Sequence, residues 1–154
     1  MRLISSAFGN YDQIPVKYTG EGEDVSPPLR WQDVPAGVRS FALICEDPDA
    51  PHATWDHWII YNIPSSISVL AEGLREELPQ GSQSCLNSWG KPGYGGPNPP
   101  SGNHRYFFTL YALDTALILP EGATKANLLN IMRGHTLAEA TLVGCYERQH
   151  KVEK

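Results

Sequence analysis

Three apolar runs dominate the hydrophobic pattern of the chain. They are Phe41-Ala42-Leu43-Ile44-Cys45, His57-Trp58-Ile59-Ile60-Tyr61-Asn62-Ile63 and Tyr106-Phe107-Phe108-Thr109-Leu110-Tyr111-Ala112-Leu113. Each is short and rich in aliphatic, β-branched or aromatic residues, which predicts strands over 39–46, 57–63 and 104–113. In the first and third, apolar residues fall at successive positions, as expected of strands covered on both faces. Leu29-Arg30-Trp31 alternates and predicts a short fourth strand, and residues 1–8 suit another. Thr124 as N-cap, Leu128, Leu129 and Met132 on one face, and Gly134 as the stop predict one helix. The stretch 135–147 allows a helix through Leu137, Ala140 and Thr141. Alternation of Thr141, Val143 and Cys145 with Leu142, Gly144 and Tyr146 favours a strand instead. Residues 64–80 are mixed and carry no decisive pattern.

The polar stretches between these runs bring chemistry together. Strands 39–46 and 57–63 are joined by only ten residues, too few for a helical crossover, so the pair is antiparallel. The end of the first and the start of the second then share one sheet edge, which makes Asp47, Asp49 and His57 neighbours. His104 opens the third strong strand directly after a long loop, 81–103, although the pattern alone does not place it at the same edge. That loop carries Pro92, Pro97, Pro99 and Pro100 and six glycines. Loops of this length inside a compact domain are usually functional. Trp89 and Tyr94 offer anchors, and prolines lower the cost of ordering, so the loop should be ordered. Singly, each polar residue has a plain structural explanation. Asp47 and Asp49 suit turns, His57 and His104 suit hydrogen-bonded structural roles, His52 suits solvent, and Trp55 and Trp58 suit packing. Their coincidence at proline-rich strand ends points to a pocket built on a rigid scaffold.

Composition narrows the classes. The 154 residues fit one domain over 1–154. Gly and Pro together make 14 + 13 = 27 residues, so turns are many. The formal charge is 12 − 17 = −5 with no basic stripe, which gives nucleic-acid binding no electrostatic support. The three cysteines have neither disulfide nor zinc spacing. Cys45 and Cys145 read as small hydrophobes. Cys85, in a polar loop, is the one candidate reactive thiol, but no basic residue within five positions lowers its pKa. The opening Met-Arg-Leu-Ile-Ser turns polar quickly and no run reaches spanning length. The expectation is a cytoplasmic protein with no membrane span.

Asp47-Pro-Asp-Ala-Pro51, Trp55-Asp-His57-Trp58, Gly93-Tyr-Gly-Gly-Pro97-Asn-Pro-Pro100-Ser-Gly102-Asn-His104-Arg-Tyr106 and Gly134-His135 resemble the motifs of the phosphatidylethanolamine-binding protein (PEBP) family. Gly22-Glu-Asp24-Val-Ser-Pro27-Pro28-Leu-Arg-Trp31 matches as well, so the resemblance covers about residues 5–148. The compact length and the Gly-Tyr-Gly-Gly-Pro form look like the bacterial and archaeal Raf-kinase-inhibitor-like branch. The resemblance implies a mainly β, PEBP-like fold: a large antiparallel sheet packed on a smaller sheet, with Greek-key connections and one or two short helices. It implies a small-anion pocket of Asp47, Asp49, Pro51, Trp55, His57, Gly96, Pro97, His104 and Tyr106. Animal members bind phosphate, acetate or phosphorylated headgroups there, and act mostly as inhibitors or scaffolds of other proteins. The implied partners are therefore a phosphate-like or carboxylate small anion, a phospholipid headgroup among them, and an unknown protein. No cofactor and no metal are implied. The chain departs from the animal pattern in a short segment between Pro51 and Trp55, and in ending soon after Arg148, without the C-terminal helix that flanks the animal pocket.

Carboxylates lining an anion pocket must be neutralised. An Asp accepting from an imidazole raises its pKa and favours the cation, with loop N–H groups completing the cage. Gly93, Gly95 and Gly96 would then admit the ligand close to the backbone. Pro97, Pro99 and Pro100 would hold the loop rigid, with a cis bond at one of them left open. Two alternatives remain. A hydrolytic enzyme could use His57 or His104 as general base oriented by Asp47, although no Ser, Cys or Thr stands in a nucleophile motif. A metal site could use Asp47, Asp49, His57 and His104. Both rank behind binding, so the chain reads as a non-enzyme, with turnover left undecided. A homodimer through an apolar patch on the smaller sheet is open.

Overall fold

The computed structural model describes residues 1–74 and 78–149. Eight strands and one helix follow in the order β1 (Arg2–Ile4), β2 (Leu29–Gln32), β3 (Ser40–Asp47), β4 (Trp55–Pro64), β5 (Val69–Leu70), β6 (Gln83–Ser84), β7 (Asn103–Leu113), α1 (Lys125–Met132) and β8 (Thr136–Glu147). A three-stranded sheet has the order β1-β2-β5, and a five-stranded sheet has the order β6-β4-β3-β7-β8. All strand pairs within them are antiparallel.

The doubly apolar runs explain the layers. From β3, Phe41, Leu43 and Cys45 join Trp58, Ile60, Phe108 and Leu142 in one core with Leu3, Leu29, Trp31 and Leu70 of the small sheet. The alternate residues Ala42 and Ile44 join Ile59, Tyr61, Leu113, Leu128 and Met132 in a second core beneath α1. Period-two alternation thus feeds two layers from one strand. The helix starts at Thr124, whose side chain and that of Asn127 form a reciprocal capping box. Gly134, at φ 81°, follows its end. Leu129 departs from the predicted apolar face and is exposed.

The large sheet is a Greek key. β3, β4 and β6 are consecutive neighbours, and the chain returns past them to lay β7 beside β3. The long loop is that return. The predicted loop 81–103 begins with the short strand β6, paired to Ile60 and Tyr61. Cys85 consequently sits buried among the residues under α1, and burial pushes its thiol up to about 11. A buried thiol with a raised pKa is not the reactive one that Cys85 was a candidate for.

The outer edge of β8 would be open to pairing, but residues 11–14 cover its second half. Tyr11 and Ile14 donate N–H groups to the Val143 and Cys145 carbonyls at 2.6 and 2.7 Å. Gly144 permits this approach, since a Cβ there would meet Ile14 at 2.5 Å.

Candidate binding pocket

The crossover gives the site its location. β7 pairs antiparallel with β3, so its start lies where β3 ends. β4 starts at the same end, and the loop from β6 to β7 must cross it. A cavity of about 190 Å³ opens there, lined by Asp47, Ala50, Pro51, Trp55, His57, Trp89, Asn98, Pro99, Pro100, His104 and Tyr106.

A bulge sets His57. Cys45 pairs with Trp58 and Glu46 with Asp56, which leaves His57 as the extra residue on β4. Bulges re-aim side chains at sites of this kind. The long loop then clamps it: Gly95 N–H donates to the His57 carbonyl at 3.0 Å, and His57 Nδ1 donates to the Gly95 carbonyl at 2.6 Å. Burial pulls the His57 imidazole below its ordinary value, against the opposing influence of the Gly95 carbonyl and nearby carboxylates. An Asp partner was expected for one of the two histidines, left open between His57 and His104; His57 is held by a backbone carbonyl and is dominated by desolvation.

His104 is the histidine with an Asp partner. Its Nδ1 lies 2.7 Å from Asp47 Oδ2, with both side chains nearly buried. Its Nε2 lies 3.0 Å from the Ser101 carbonyl, which can only accept. Each ring nitrogen therefore faces an oxygen acceptor. Asp47 Oδ1 in turn accepts the Asp49 N–H at 2.8 Å, so both carboxylate oxygens are engaged.

Asp49 points elsewhere. It forms a two-pronged pair with Arg105, Nε to Oδ2 at 2.9 Å and Nη2 to Oδ1 at 2.8 Å, and also accepts the Arg105 N–H. The guanidinium holds the Asp49 carboxyl down to about 2. Alternation along β7 places His104 and Tyr106 toward the cavity and Arg105 on the other face, with its guanidinium over the Phe107 ring.

Gly96 and Pro97 also lie off the cavity lining. Gly96 borders a separate polar recess with Asp24 and Lys91. Its N–H donates to Asp24 Oδ1 at 2.7 Å, and the Pro97 carbonyl accepts from Gly20. A Cβ on Gly96 would meet the Tyr18 carbonyl at 2.4 Å, and one on Gly95 would meet the Trp89 ring at 2.4 Å. The glycines therefore admit neighbouring protein, where a ligand was expected. Peptide bonds among the described residues are all trans, those before Pro97, Pro99 and Pro100 included.

Trp89 was anticipated only as an anchor. It packs edge-on to both Trp55 and His57, at 5.5 and 5.2 Å, and forms the cavity rim with Trp55. Tyr94 is the loop's inner anchor, its hydroxyl donating to the Tyr18 carbonyl at 2.6 Å and its ring edge-on to Trp58. Trp58 is wholly in the core, as expected. Among the described residues, no group of three or more His, Cys, Asp or Glu side chains is placed to hold a metal ion.

Two antiparallel sheets in a Greek key, with a small aromatic-walled cavity at the strand ends, define the class of protein. The family model for phosphatidylethanolamine-binding protein matches residues 4–147. The chain belongs to that family. It is 51% identical to a UPF0098 protein of Methanothermobacter thermautotrophicus over 96% of this chain and 99% of that one. The crystal structure of the PEBP homologue CT736 from Chlamydia trachomatis superposes with a TM-score of 0.90 at 44% identity, covering 96% of this chain and 97% of that one. The crystal structure of E. coli YbcL, a member of the mammalian PEBP family, gives a TM-score of 0.90 at 31% identity, covering 96% and 98%. The mainly β fold expected from the motifs is the fold observed, in the bacterial and archaeal branch. No helix among the described residues is long and apolar enough to cross a membrane.

Proposed function

We propose that the cavity binds a small phosphate-like or carboxylate anion, free or as a phosphorylated headgroup, and that its occupancy modulates a partner protein. The observation that carries the reading is the Asp47–His104 pair in the cavity wall. A buried carboxylate that holds an imidazole by one nitrogen, while a carbonyl takes the other, sets a cation beside the cavity. Tyr106 adds a phenol, and Pro51, Trp55 and Trp89 supply apolar walls. Asp49, Gly96 and Pro97 serve as framework for the loops that shape it. The lining residues include no Ser, Thr or Cys, which favours binding over covalent hydrolysis.

Calorimetric titration with inorganic phosphate tests the reading through Asp47→Asn. If the carboxylate acts by holding the His104 ring as a cation beside the cavity, the variant binds phosphate more weakly. If it merely repels anions, the variant binds more tightly, and the reading falls.

A further inference from the structure

The outer edge of β8 is sealed along one half and open along the other. In the sealed half, the outward backbone groups find partners in the strap formed by residues 10–14. Val143 donates to Asn10 Oδ1 at 2.8 Å and accepts from Tyr11, while Cys145 donates to the Asp12 carbonyl at 2.9 Å and accepts from Ile14. Alternate residues of a strand turn their backbone groups to the same side, so the outward set continues at Thr141 and Glu139. Their N–H and C=O groups point away from β7, and none of the described residues pairs with them. A recess of about 390 Å³ adjoins this open stretch, and both Thr141 and Asn10 line it. Leu3, Ile4, Ala140 and Leu142 supply its apolar wall, and Arg2 its one basic side chain. The Arg2 guanidinium has no hydrogen bond or ion pair among the described residues.

We propose that the open half of β8 takes the C-terminal segment of a partner protein as an added strand. It runs parallel to β8, with its terminal carboxylate on Arg2 and an apolar side chain in the recess. Unpaired N–H and C=O groups at alternate residues are complemented by extended backbone. The strap bars the way past Thr141, so an added strand has to start or stop there. One that stops there runs in the direction of β8, as the strap itself does at Gln13 and Cys145, and brings a carboxylate to the unpaired guanidinium. One that starts there brings an ammonium to it. Glu139, which has no ion pair among the described residues, favours a basic side chain on the solvent face of the added strand.

A second copy of this chain fits the edge poorly. Two β8 strands related by a twofold axis at Ala140 would pair Thr141 with Glu139. The same axis sets residue 137 of each copy against residue 143 of the other, where the strap already lies. With β8 running over Thr136–Glu147, the two strands meet the straps on both sides of the axis.

An acetylated hexapeptide of alternating lysine and valine, ending on valine, tests this in two forms, the free C-terminal acid and the C-terminal amide. Titration of the whole chain should favour the free acid on the order of tenfold or more, the effect of a charge-assisted hydrogen bond. Non-specific attraction to a chain of net charge −5 predicts the opposite order, because the amide carries the greater positive charge. Arg2→Gln should make the two forms bind alike. Amide exchange at Glu139 and Thr141 should slow in the complex. Thr141→Pro removes an outward N–H that β7 does not use, and should weaken binding of the free acid. Equal or tighter binding of the amide, a preference that survives Arg2→Gln, or unprotected amides at 139 and 141 overturns the proposal. So does failure of either form to bind at about millimolar concentration. If Thr141→Pro does not fold, Arg2→Gln and the exchange rates decide. A dimer in sedimentation equilibrium that the peptide does not disturb, with Glu139 and Thr141 protected in it, overturns the proposal in favour of a second copy.

Discussion

Two polar clusters sit at the same end of the large sheet, on opposite faces of the same strands. Neighbouring residues build them: Glu46 and Asp56 point outward beneath α1, while Asp47 and His57 point inward to the cavity. The outward cluster is closed. Lys125, the first residue of α1, reaches Glu46 at 2.8 Å and Asp56 at 2.7 Å, one cation between two carboxylates. The inward cluster is open. Asp47 and His104 satisfy each other, but His57 Nε2 and the Tyr106 hydroxyl have no protein partners among the described residues. Both clusters are partly or wholly desolvated, so burial does not tell them apart. What differs is completeness. A cluster whose charges are matched fastens the helix to the sheet, and a cluster whose polar atoms face a cavity without a protein partner leaves them for a ligand.

The strongest way to break the comparison is Lys125→Met. It strands two partly buried carboxylates on the closed side and should cost about 2–3 kcal/mol in urea unfolding. Phosphate affinity should stay within about twofold, because the open cluster lies across the sheet. A variant of normal stability would show that the ion triad does not fasten the helix. A variant with lost phosphate affinity would show that the two faces are coupled.

The sequence made the open cluster easier to suspect than to build. Strand existence followed from runs such as Phe41–Cys45, because apolar residues on both faces leave few other structures. The hairpin linking β3 to β4 followed from the ten-residue spacing. Those local facts put Asp47 and His57 together. His104 came to the same edge only through the Greek-key return, a long-range choice that no local pattern encodes. The bulge at His57 was equally hidden, since it arises from strand register. So was the division of labour between the two aspartates. Residues 104–106 carry the signal for it in their alternation, which sends Arg105 to the face opposite His104 and Tyr106 and gives Asp49 a cation there. The glycines misled for a physical reason. Missing Cβ atoms at 95 and 96 signal close approach, but a sequence does not say whether a ligand, the Trp89 ring or the Tyr18 carbonyl approaches.

A smaller effect sharpens the contrast from the open side. His57 has its folded pKa lowered by burial, while the unfolded chain keeps the ordinary value of about 6.5. Above that value both states are neutral and stability is full. As pH falls below it, the unfolded chain takes up a proton that the native imidazole resists, so stability declines until the folded pKa is passed. Urea midpoints should therefore drop between about pH 7 and pH 5.5 in the native protein, and the drop should shrink in His57→Gln. An unchanged pH slope in the variant would show that His57 is not the group responsible.

The smallest expected effect belongs to a third arrangement, Asp49 with Arg105, which is closed like the outer cluster but wet. Arg105 side-chain hydrogen bonding leads the causes that depress Asp49 to about 2, against an unfolded value of about 3.9. The depressed group gives stability that is present above the unfolded value and lost as pH falls through the folded one. The window is therefore about pH 4 to 2, well below that of His57. Geometry is favourable, with two parallel bonds at 2.9 and 2.8 Å. Exposure works against it, since the Arg105 and Asp49 side chains are 48% and 29% accessible, and solvent and salt screen such pairs. Asp49→Asn should flatten only a minor part of the acid unfolding curve, and molar salt should remove most of the difference from the native protein. Phosphate affinity should barely move, because the carboxylate lies off the cavity lining. A loss of affinity as large as that expected for Asp47→Asn would place Asp49 in the pocket after all, and would show that good ion-pair geometry alone does not mark a side chain as framework.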